Sequence, residues 1–461
     1  MLKFDTSLVK SSTSNLTLFF CDKNKFEEFL NSLPRFQKNW IYDNFKKQKK
    51  NFYLVPDKDG KLSSALVIIK NNSPWNISEI SNNLPAGNWK LNLKFSKKIS
   101  LSNIQLGWEL SQYRFKIRKN DNSKSTKSKL VLGEKLNEEI IAIGNATTLV
   151  REMINLPPNI MNIQKIEKII KELKDLFSCN VKTFENNTLE KEFPAIHTVG
   201  KSSENRPKLL DLSWGKSGPK ITIVGKGITF DTGGLNIKST KGMELMKKDM
   251  GGAAHAIGLA YLLMKLNFKI KLRLIIPVAE NSISRSSMRP SDIINTRSGK
   301  KVEIGNTDAE GRLLLADALF YSINSLPEPD FLVDFATLTG AARIALGSEC
   351  PAIFCNNDET AKQLMEIGKK NYDPVWQLPL LDQYDRYLDT SYAAISSTGN
   401  AGGYGGAITA ALFLRRFVGK KLNWAHFDVM AWNLTTRPGR PTGGEAMGIR
   451  STFEYIKKTY T

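Results

Sequence analysis

The residues best suited to chemistry in this chain are acids and lysines that stand in three short segments. The segments are NTDAEGRL at 306–313, VGKGITFDTGGLNIK at 224–238 and MKKDMGGAA at 246–254. Together they place four carboxylates and two lysines at predicted strand ends and turns, which is the composition of a two-metal hydrolytic site. The chain has only three histidines, each isolated, so a metal site here has to rely mainly on oxygen ligands, which hard or borderline divalent cations accept.

The octapeptide NTDAEGRL predicts two carboxylates that share one site. In an extended segment, residues two apart point the same way, so Asp308 and Glu310 would face together, with Arg312 near enough to serve them. An apolar helix follows, which predicts a position at a strand end, where open α/β sheets bind ligands. Taken alone, this motif would favour a surface turn with a helix-starting Glu and a salt-bridging Arg.

The second segment is an apolar strand that runs through Lys226 to Asp231, followed by a Thr-Gly-Gly turn and Lys238. A lysine inside an apolar strand is costly unless its amine is paired or neutral. A divalent cation nearby would lower the pKa of the lysine and free its nitrogen as a ligand. The alternative is a lysine whose amine reaches solvent past the strand end.

The third segment places Asp249 just before a glycine pair and a helix of small residues. Such a carboxylate is available to a metal, but it could equally serve as the N-cap of that helix. The glycines and alanines by themselves indicate only close packing of the helix.

At these residues the chain resembles the leucyl aminopeptidase family, cytosolic dinuclear exopeptidases whose signature is NTDAEGRL. The resemblance extends through the other two segments and through DFATLTGA at 334–341, and it covers roughly residues 145–461. Counted from Lys226, the other positions lie 5, 12, 23, 82, 84 and 86 residues on, which suits the family. The first 130 residues carry no motif that we could match.

The resemblance implies a role for each position. Two divalent ions, manganese or zinc, would be held by Lys226 as a neutral amine and by Asp231, Asp249, Asp308 and Glu310. A metal-bridging hydroxide would be the nucleophile, Lys238 the electrophile that polarises the scissile carbonyl, and Arg312 the holder of a bicarbonate ion that acts as base. Met246, Thr337 and Gly340 would line the pocket for the first side chain. The implied activity is release of leucine-like and other residues from the N-terminus of peptides, by a homo-hexamer. A catalytically dead homologue is disfavoured because all seven metal-binding and catalytic positions are retained.

The elements that must position these residues follow from the pattern of apolar runs. Beyond residue 130, strand-like runs such as KLRLIIPVA and FLVDFATL alternate with helical ones such as RLLLADALFYSIN, which predicts a mostly parallel sheet flanked by helices. Residues 135–156 have helical spacing and end at a Pro-Pro pair. We therefore predict an α/β fold with a catalytic domain at 131–461, a smaller, basic and divergent N-terminal α/β domain at 1–130, and a polar linker at 120–129.

Charge and composition leave one alternative open. The net charge is +21, and residues 1–150 hold 25 Lys and Arg against 13 Asp and Glu, so +12 of it lies there. Such a portion could bind nucleic acid, with or without peptidase activity. The lysines are dispersed and no nucleic-acid motif accompanies them, so a solvated surface is favoured.

The expected location is the cytoplasm. No apolar run reaches the roughly 18 residues needed to span a membrane, and the N-terminus lacks the features of a signal peptide. The four scattered cysteines indicate reduced thiols.

Overall fold

The computed structural model describes residues 1–13, 16–48, 51–115, 128–324, 328–400 and 402–461. The chain divides into two compact units: a smaller unit of residues 3–148 and 436–441, and a larger unit of residues 1–2, 149–435 and 442–461. The linker predicted at 120–129 lies outside the described residues except for its last two positions. Within the described ranges, no helix is both long enough and apolar enough to cross a membrane.

The smaller unit is built on a six-stranded sheet in the order β1-β6-β5-β2-β4-β3, in which only β3 runs antiparallel to its neighbour. Its strands are β1 (Leu8–Val9), β2 (Leu16–Asp22), β3 (Phe52–Pro56), β4 (Leu62–Ile69), β5 (Asn88–Phe95) and β6 (Lys129–Val131). Its helices are α1 (Phe26–Asn31), α2 (Arg35–Gln48), α3 (Pro74–Asn83) and α4 (Leu101–Ser111), with 3₁₀ turns at Lys23–Lys25 and Gly133–Lys135.

Strand β4 shows why this sheet is covered on both faces. Successive side chains of a strand point to opposite sides. Ala65 and Val67 belong to a core cluster with α3 and α4, whereas Leu66 and Ile68 belong to a second cluster with α1 and α2. The small α/β arrangement predicted for the N-terminal part is therefore confirmed.

The larger unit contains the remaining strands and helices. Its strands are β7 (Asn180–Glu185), β8 (Lys208–Trp214), β9 (Lys220–Gly225), β10 (Gly227–Asp231), β11 (Lys271–Asn281), β12 (Ile293–Asn295), β13 (Lys301–Glu303), β14 (Phe331–Ala336), β15 (Ala352–Cys355), β16 (Trp376–Gln377), β17 (Ile395–Ser396), β18 (Trp424–Asp428), β19 (Trp432–Asn433) and β20 (Gly443–Gly444). Its helices are α5 (Glu138–Asn155, which begins before the boundary between the units), α6 (Ile163–Phe177), α7 (Asn186–Glu192), α8 (Pro194–Gly200), α9 (Thr240–Met243), α10 (Gly251–Lys265), α11 (Gly311–Ile323), α12 (Gly340–Leu346), α13 (Asp358–Lys370), α14 (Gly406–Val418) and α15 (Ile449–Tyr460). Two 3₁₀ helices span Met246–Met250 and Asp382–Leu388.

The main sheet of this unit has nine strands in the order β16-β15-β18-β14-β9-β11-β8-β7, with β10 pairing beside β11. Strands β18, β14, β9 and β11 run parallel at its centre, while β15, β8 and β7 pair antiparallel towards the edges. Val224 packs with α11 and α14, and the next residue, Gly225, faces α10 on the opposite side. The predicted mostly parallel sheet flanked by helices is confirmed.

The strand that enters the site is interrupted at Lys226. The apolar run at 221–230 is divided there into β9, which pairs with β11 and β14, and β10, which pairs with β11. Lys226 follows the last paired residue of β9, and its amide still donates to the carbonyl of Phe335 in β14 at 3.0 Å. Because the carboxyl ends of β9, β10, β11 and β14 meet at one edge of the sheet, residues that follow these strands are brought together there.

Candidate active site

The predicted metal-binding residues all lie at this carboxyl edge of the sheet. They are Lys226 between β9 and β10, Asp231 at the end of β10, Asp249 in the 3₁₀ helix before α10, and Asp308 and Glu310 just before α11. All five line one cavity of about 400 Å³, together with Lys238 and Arg312. The structure thus gathers the seven positions that the motifs singled out.

The octapeptide adopts a turn, so the predicted extended segment was wrong. The side-chain oxygen of Asn306 accepts a hydrogen bond from the backbone amide of Asp308 at 2.8 Å. Its backbone carbonyl accepts one from the amide of Ala309 at 3.1 Å. Asn is prone to such local capping, which competes with a strand conformation. Asp308 and Glu310 still reach the same cavity, because the turn runs directly into α11, which begins at Gly311.

Three carboxylates converge closely enough to share a cation. One oxygen each of Asp231, Asp308 and Glu310 lie within 4.8 Å of one another. Asp308 Oδ1, Glu310 Oε1 and Asp249 Oδ2 are buried without accepting a well-formed hydrogen bond, although each lies beside a lysine ammonium. Buried acceptors normally have donors. These oxygens instead form the oxygen-rich donor set that divalent cations take, so the residues present fit a metal pair.

Two lysines neutralise part of the negative charge of this cluster. The Lys226 ammonium lies 3.0 Å from Asp249 Oδ2 and 3.0 Å from Glu310 Oε1, and it donates to the carbonyl of Thr337 at 2.9 Å. Lys238 lies 2.8 Å from Asp231 Oδ2 and contacts Asp308 Oδ1. Burial alone would lower the pKa of both lysines, but the surrounding carboxylates outweigh it and raise both values.

Burial and the closeness of like charges raise the pKa values of two acids in the site. Burial, followed by the repulsion of Asp231, raises the pKa of Glu310 to about 8. Burial, followed by the charge of Asp249, raises the pKa of Asp231 to about 6. Carboxylates with raised pKa values in one cleft mark a site whose charge is not fully compensated by the protein.

A set of hydrogen bonds, which we call the Thr307 latch, ties the Asp231 loop to the Asp308 loop. The Thr307 hydroxyl donates to the carbonyl of Gly233 at 2.6 Å and accepts the amide of Asn236 at 2.8 Å. The Asn281 amide, at the end of β11, donates to Asp231 Oδ1 at 2.8 Å and to the Thr307 carbonyl at 3.1 Å. The latch therefore fixes the distance between two candidate ligands. The sequence reasoning missed it, and the polar Asn281 that closes an apolar strand was its only signal.

The three residues predicted to contact the substrate, Met246, Thr337 and Gly340, also line the cavity. Thr337 is buried, and its hydroxyl donates to Asp249 Oδ1 at 2.7 Å, so it positions that carboxylate as well. Arg312 donates from Nη1 to the carbonyl of Ser397 at 2.6 Å, while its Nε has no hydrogen-bond partner among the described residues. Burial lowers the pKa of Arg312 to about 10.

Two further cations, Lys248 and Arg343, line the cavity and were not singled out from the sequence. Burial lowers the pKa of Lys248 to about 8. Its neighbour Lys247 turns elsewhere: it donates to the carbonyl of Asn155 at 2.9 Å and lies over the ring of Trp432. The doubled lysine beside Asp249 was a visible signal, but the pattern did not say which of the two faces the site.

Two glycines at the cavity differ in the space around them. A Cβ on Gly311 would lie 2.4 Å from Lys226 Cε, so this glycine lets α11 approach the lysine. A Cβ on Gly340 would meet only Arg343 Nη2, at 3.7 Å. One wall of the cavity is therefore closely packed and the other is open.

Comparison with known families gives matches over most of the chain. A family model described as "Cytosol aminopeptidase family, catalytic domain" matches residues 148–453, and "M17 aminopeptidase, N-terminal domain" matches residues 17–133. The second match covers most of the region in which no motif was recognised. The chain is 38% identical over 348 residues to a probable cytosol aminopeptidase of Phytoplasma mali, covering 72% of this chain and 69% of that protein. It is 36% identical over 375 residues to one of Aquifex aeolicus, covering 79% and 75%.

Solved structures are similar over nearly the whole chain. A crystal structure of a cytosol aminopeptidase from Coxiella burnetii has a TM-score of 0.91 and 38% identity, covering 99% of this chain and 100% of that one. The bottromycin maturation enzyme BotP in complex with Mn has a TM-score of 0.86 and 25% identity, covering 97% and 99%. The likeness thus extends to both units.

Proposed function

Since this chain belongs to the cytosol aminopeptidase family and is a metal-dependent aminopeptidase, we propose how its residues share the reaction and which peptides it takes. It removes leucine-like and other residues one at a time from the N-terminus of peptides. The observation that carries the proposal is the convergence at the edge of the sheet of buried carboxylate oxygens that accept no well-formed hydrogen bond.

Five residues would hold two divalent ions, namely Lys226, Asp231, Asp249, Asp308 and Glu310. When bound, such ions act as Lewis acids and make a water molecule nucleophilic at neutral pH. Lys226 has to lose its proton to act as a ligand. Its pKa is raised only by the adjoining carboxylates, and divalent charge in their midst opposes that effect. Manganese is a suitable ion, since a similar enzyme is known in complex with Mn.

Lys238 and Arg312 would serve the reaction itself. Lys238 is held by Asp231 and Asp308 on the more open side of the cluster, where its ammonium can polarise the scissile carbonyl and stabilise the oxyanion. Arg312 has an unpartnered Nε within the cavity, among the described residues, and this suits a small anion. We propose that it holds bicarbonate, which acts as the general base that the site otherwise lacks.

The position of Asp249 suits recognition of the free N-terminus. Its carboxylate lies between Lys226 and Thr337, close to the walls formed by Met246 and Gly340. A peptide amino group bound here would place the first side chain in that pocket, which restricts cleavage to one residue at a time. A homo-hexamer in the cytoplasm, as the family resemblance implies, is part of the proposal. No comparison supports the nucleic-acid alternative.

The test is turnover with Mn²⁺ by purified protein, using leucine p-nitroanilide and a panel of dipeptides, with metal content measured in parallel. Glu310→Ala should abolish turnover and reduce bound metal. Glu366→Ala, which removes an exposed acid on α13, is the matched control and should change neither. An inert wild-type protein would refute the proposed activity, and an active Glu310→Ala variant would refute the assigned site.

A further inference from the structure

Lys248 and Arg343 are the charged groups of the cavity that the proposed mechanism leaves unused. Lys226 and Lys238 pair with carboxylates, and Arg312 donates to a backbone carbonyl. The Lys248 residue is only 3% exposed, yet neither its ammonium nor the half-buried Arg343 guanidinium makes a hydrogen bond or salt bridge with any residue that the structure describes. A buried ammonium such as that of Lys248 is costly unless something binds to it.

In the described part of the chain, the acids that act on Lys248 already have other partners. The two carboxylates that act on Lys248 are those of Asp249 and Asp428. Asp249 is engaged by Lys226 and by Thr337. Asp428 accepts the amide of Thr339 at 3.1 Å as well as its hydroxyl at 2.6 Å. The charges of Lys248 and Arg343 are therefore available to an anion that enters the cavity.

Both cations stand beside the proposed pocket for the first side chain. Lys248 is two residues from Met246. Arg343 lies one helical turn beyond Gly340, and its Nη2 is 3.7 Å from the point where a Cβ on Gly340 would stand. The guanidinium of Arg343 therefore lies next to Gly340, in the wall of the pocket that the first side chain of a peptide would contact. Its planar fork suits a carboxylate.

We infer that Lys248 and Arg343 bind a carboxylate of the substrate, so that the enzyme accepts peptides that begin with glutamate or aspartate. The inference rests on the proposed function, which places the first side chain in this cavity. The same chemistry could be supplied by the C-terminal carboxylate of a dipeptide. The position beside Gly340 favours the acidic first residue.

The experiment compares kcat/KM for the p-nitroanilides of glutamate and leucine, neither of which has a free C-terminal carboxylate. In Arg343→Gln the glutamate-to-leucine ratio should fall about tenfold or more, as expected for loss of one charge-assisted hydrogen bond. Arg343→Lys should retain part of the preference, and Lys248→Met should reduce it as well. Arg289→Gln removes an exposed arginine that pairs with Asp292, and it is the matched control for charge.

A second pair of substrates, Leu-Gly and its C-terminal amide, distinguishes the source of the carboxylate. If Arg343→Gln lowers the preference for the free dipeptide and leaves the glutamate ratio unchanged, acceptance of an acidic first residue is overturned. If both ratios stay unchanged, or if Arg289→Gln lowers the glutamate ratio equally, the carboxylate site is overturned. Turnover of leucine p-nitroanilide by the same preparations shows that such a failure does not concern the proposed function. A wild-type protein inert towards both p-nitroanilides would overturn that function, and this inference with it.

Discussion

The Thr307 latch can be tested by Thr307→Val, which exchanges a hydroxyl for a methyl group of nearly the same shape. The hydroxyl is fully buried and links the Gly233 carbonyl to the Asn236 amide. Its loss leaves a buried carbonyl without a donor and a partly exposed amide that water can reach. With about 1 kcal/mol per hydrogen bond and a further 1 kcal/mol or so for the orphaned carbonyl, the cost should be about 2–3 kcal/mol.

The chain contains a matched control in Thr222→Val. Thr222 lies in β9, its side chain is fully buried, and its hydroxyl has no hydrogen-bond partner in the described part of the chain. The same exchange there removes an unsatisfied polar group and places a β-branched apolar residue in a central strand. It should be neutral or stabilising by about 1 kcal/mol.

Urea unfolding and the thermal midpoint of both variants test the difference. Thr307→Val should also lower kcat/KM about tenfold, equivalent to about 1.4 kcal/mol, because the Asp231 and Asp308 loops are no longer held together. Thr222→Val should retain wild-type activity. Equal losses of stability in the two variants, or full activity in Thr307→Val, would refute the reasoning that the hydroxyl holds the two loops in register.

Two further predictions concern buried groups of the larger unit. Burial lowers the pKa of His255 from 6.5 to about 4, so the unfolded chain binds a proton at a higher pH than the folded protein does. The free energy of unfolding should therefore fall by about 3 kcal/mol as the pH drops from above 6.5 to 4. Urea unfolding at a series of pH values should show a smaller loss of stability in His255→Gln than in the wild type. Glu445→Gln should cost about 3–5 kcal/mol because it leaves the Arg151 guanidinium, 2.9 Å away and almost fully buried, without its counter-charge. In thermal unfolding, the double variant Arg151→Met/Glu445→Leu should have a higher midpoint than Glu445→Gln. The opposite order would contradict this prediction.

The convergence of the site was predictable because its residues follow parallel strands. Lys226 and Asp231 are attached to β9 and β10, and the edge at which such strands end is shared. The helical run RLLLADALFYSIN likewise predicts α11 to within one residue at each end. The reason is that long runs with one period have few competing conformations.

The features that the sequence did not predict depend on local hydrogen bonds of polar side chains and on packing. The Asn306 side chain binds the amide of Asp308 and turns a stretch that alternation alone would extend. Lys247 and Lys248 are adjacent and identical in type, and only the phase of the 3₁₀ helix after Leu245 decides which is buried in the cavity. Such choices depend on neighbours distant in the chain, which a linear pattern does not reveal.

The contrast between Gly311 and Gly340 tells a protein engineer where this enzyme can be redesigned. Randomising position 311 should return glycine almost alone, because any side chain would displace Lys226. Position 340 has room, and its one near neighbour is the flexible end of Arg343. A library on α12 could therefore alter which amino acid is released while the metal-binding wall stays intact, so the two properties can be varied independently.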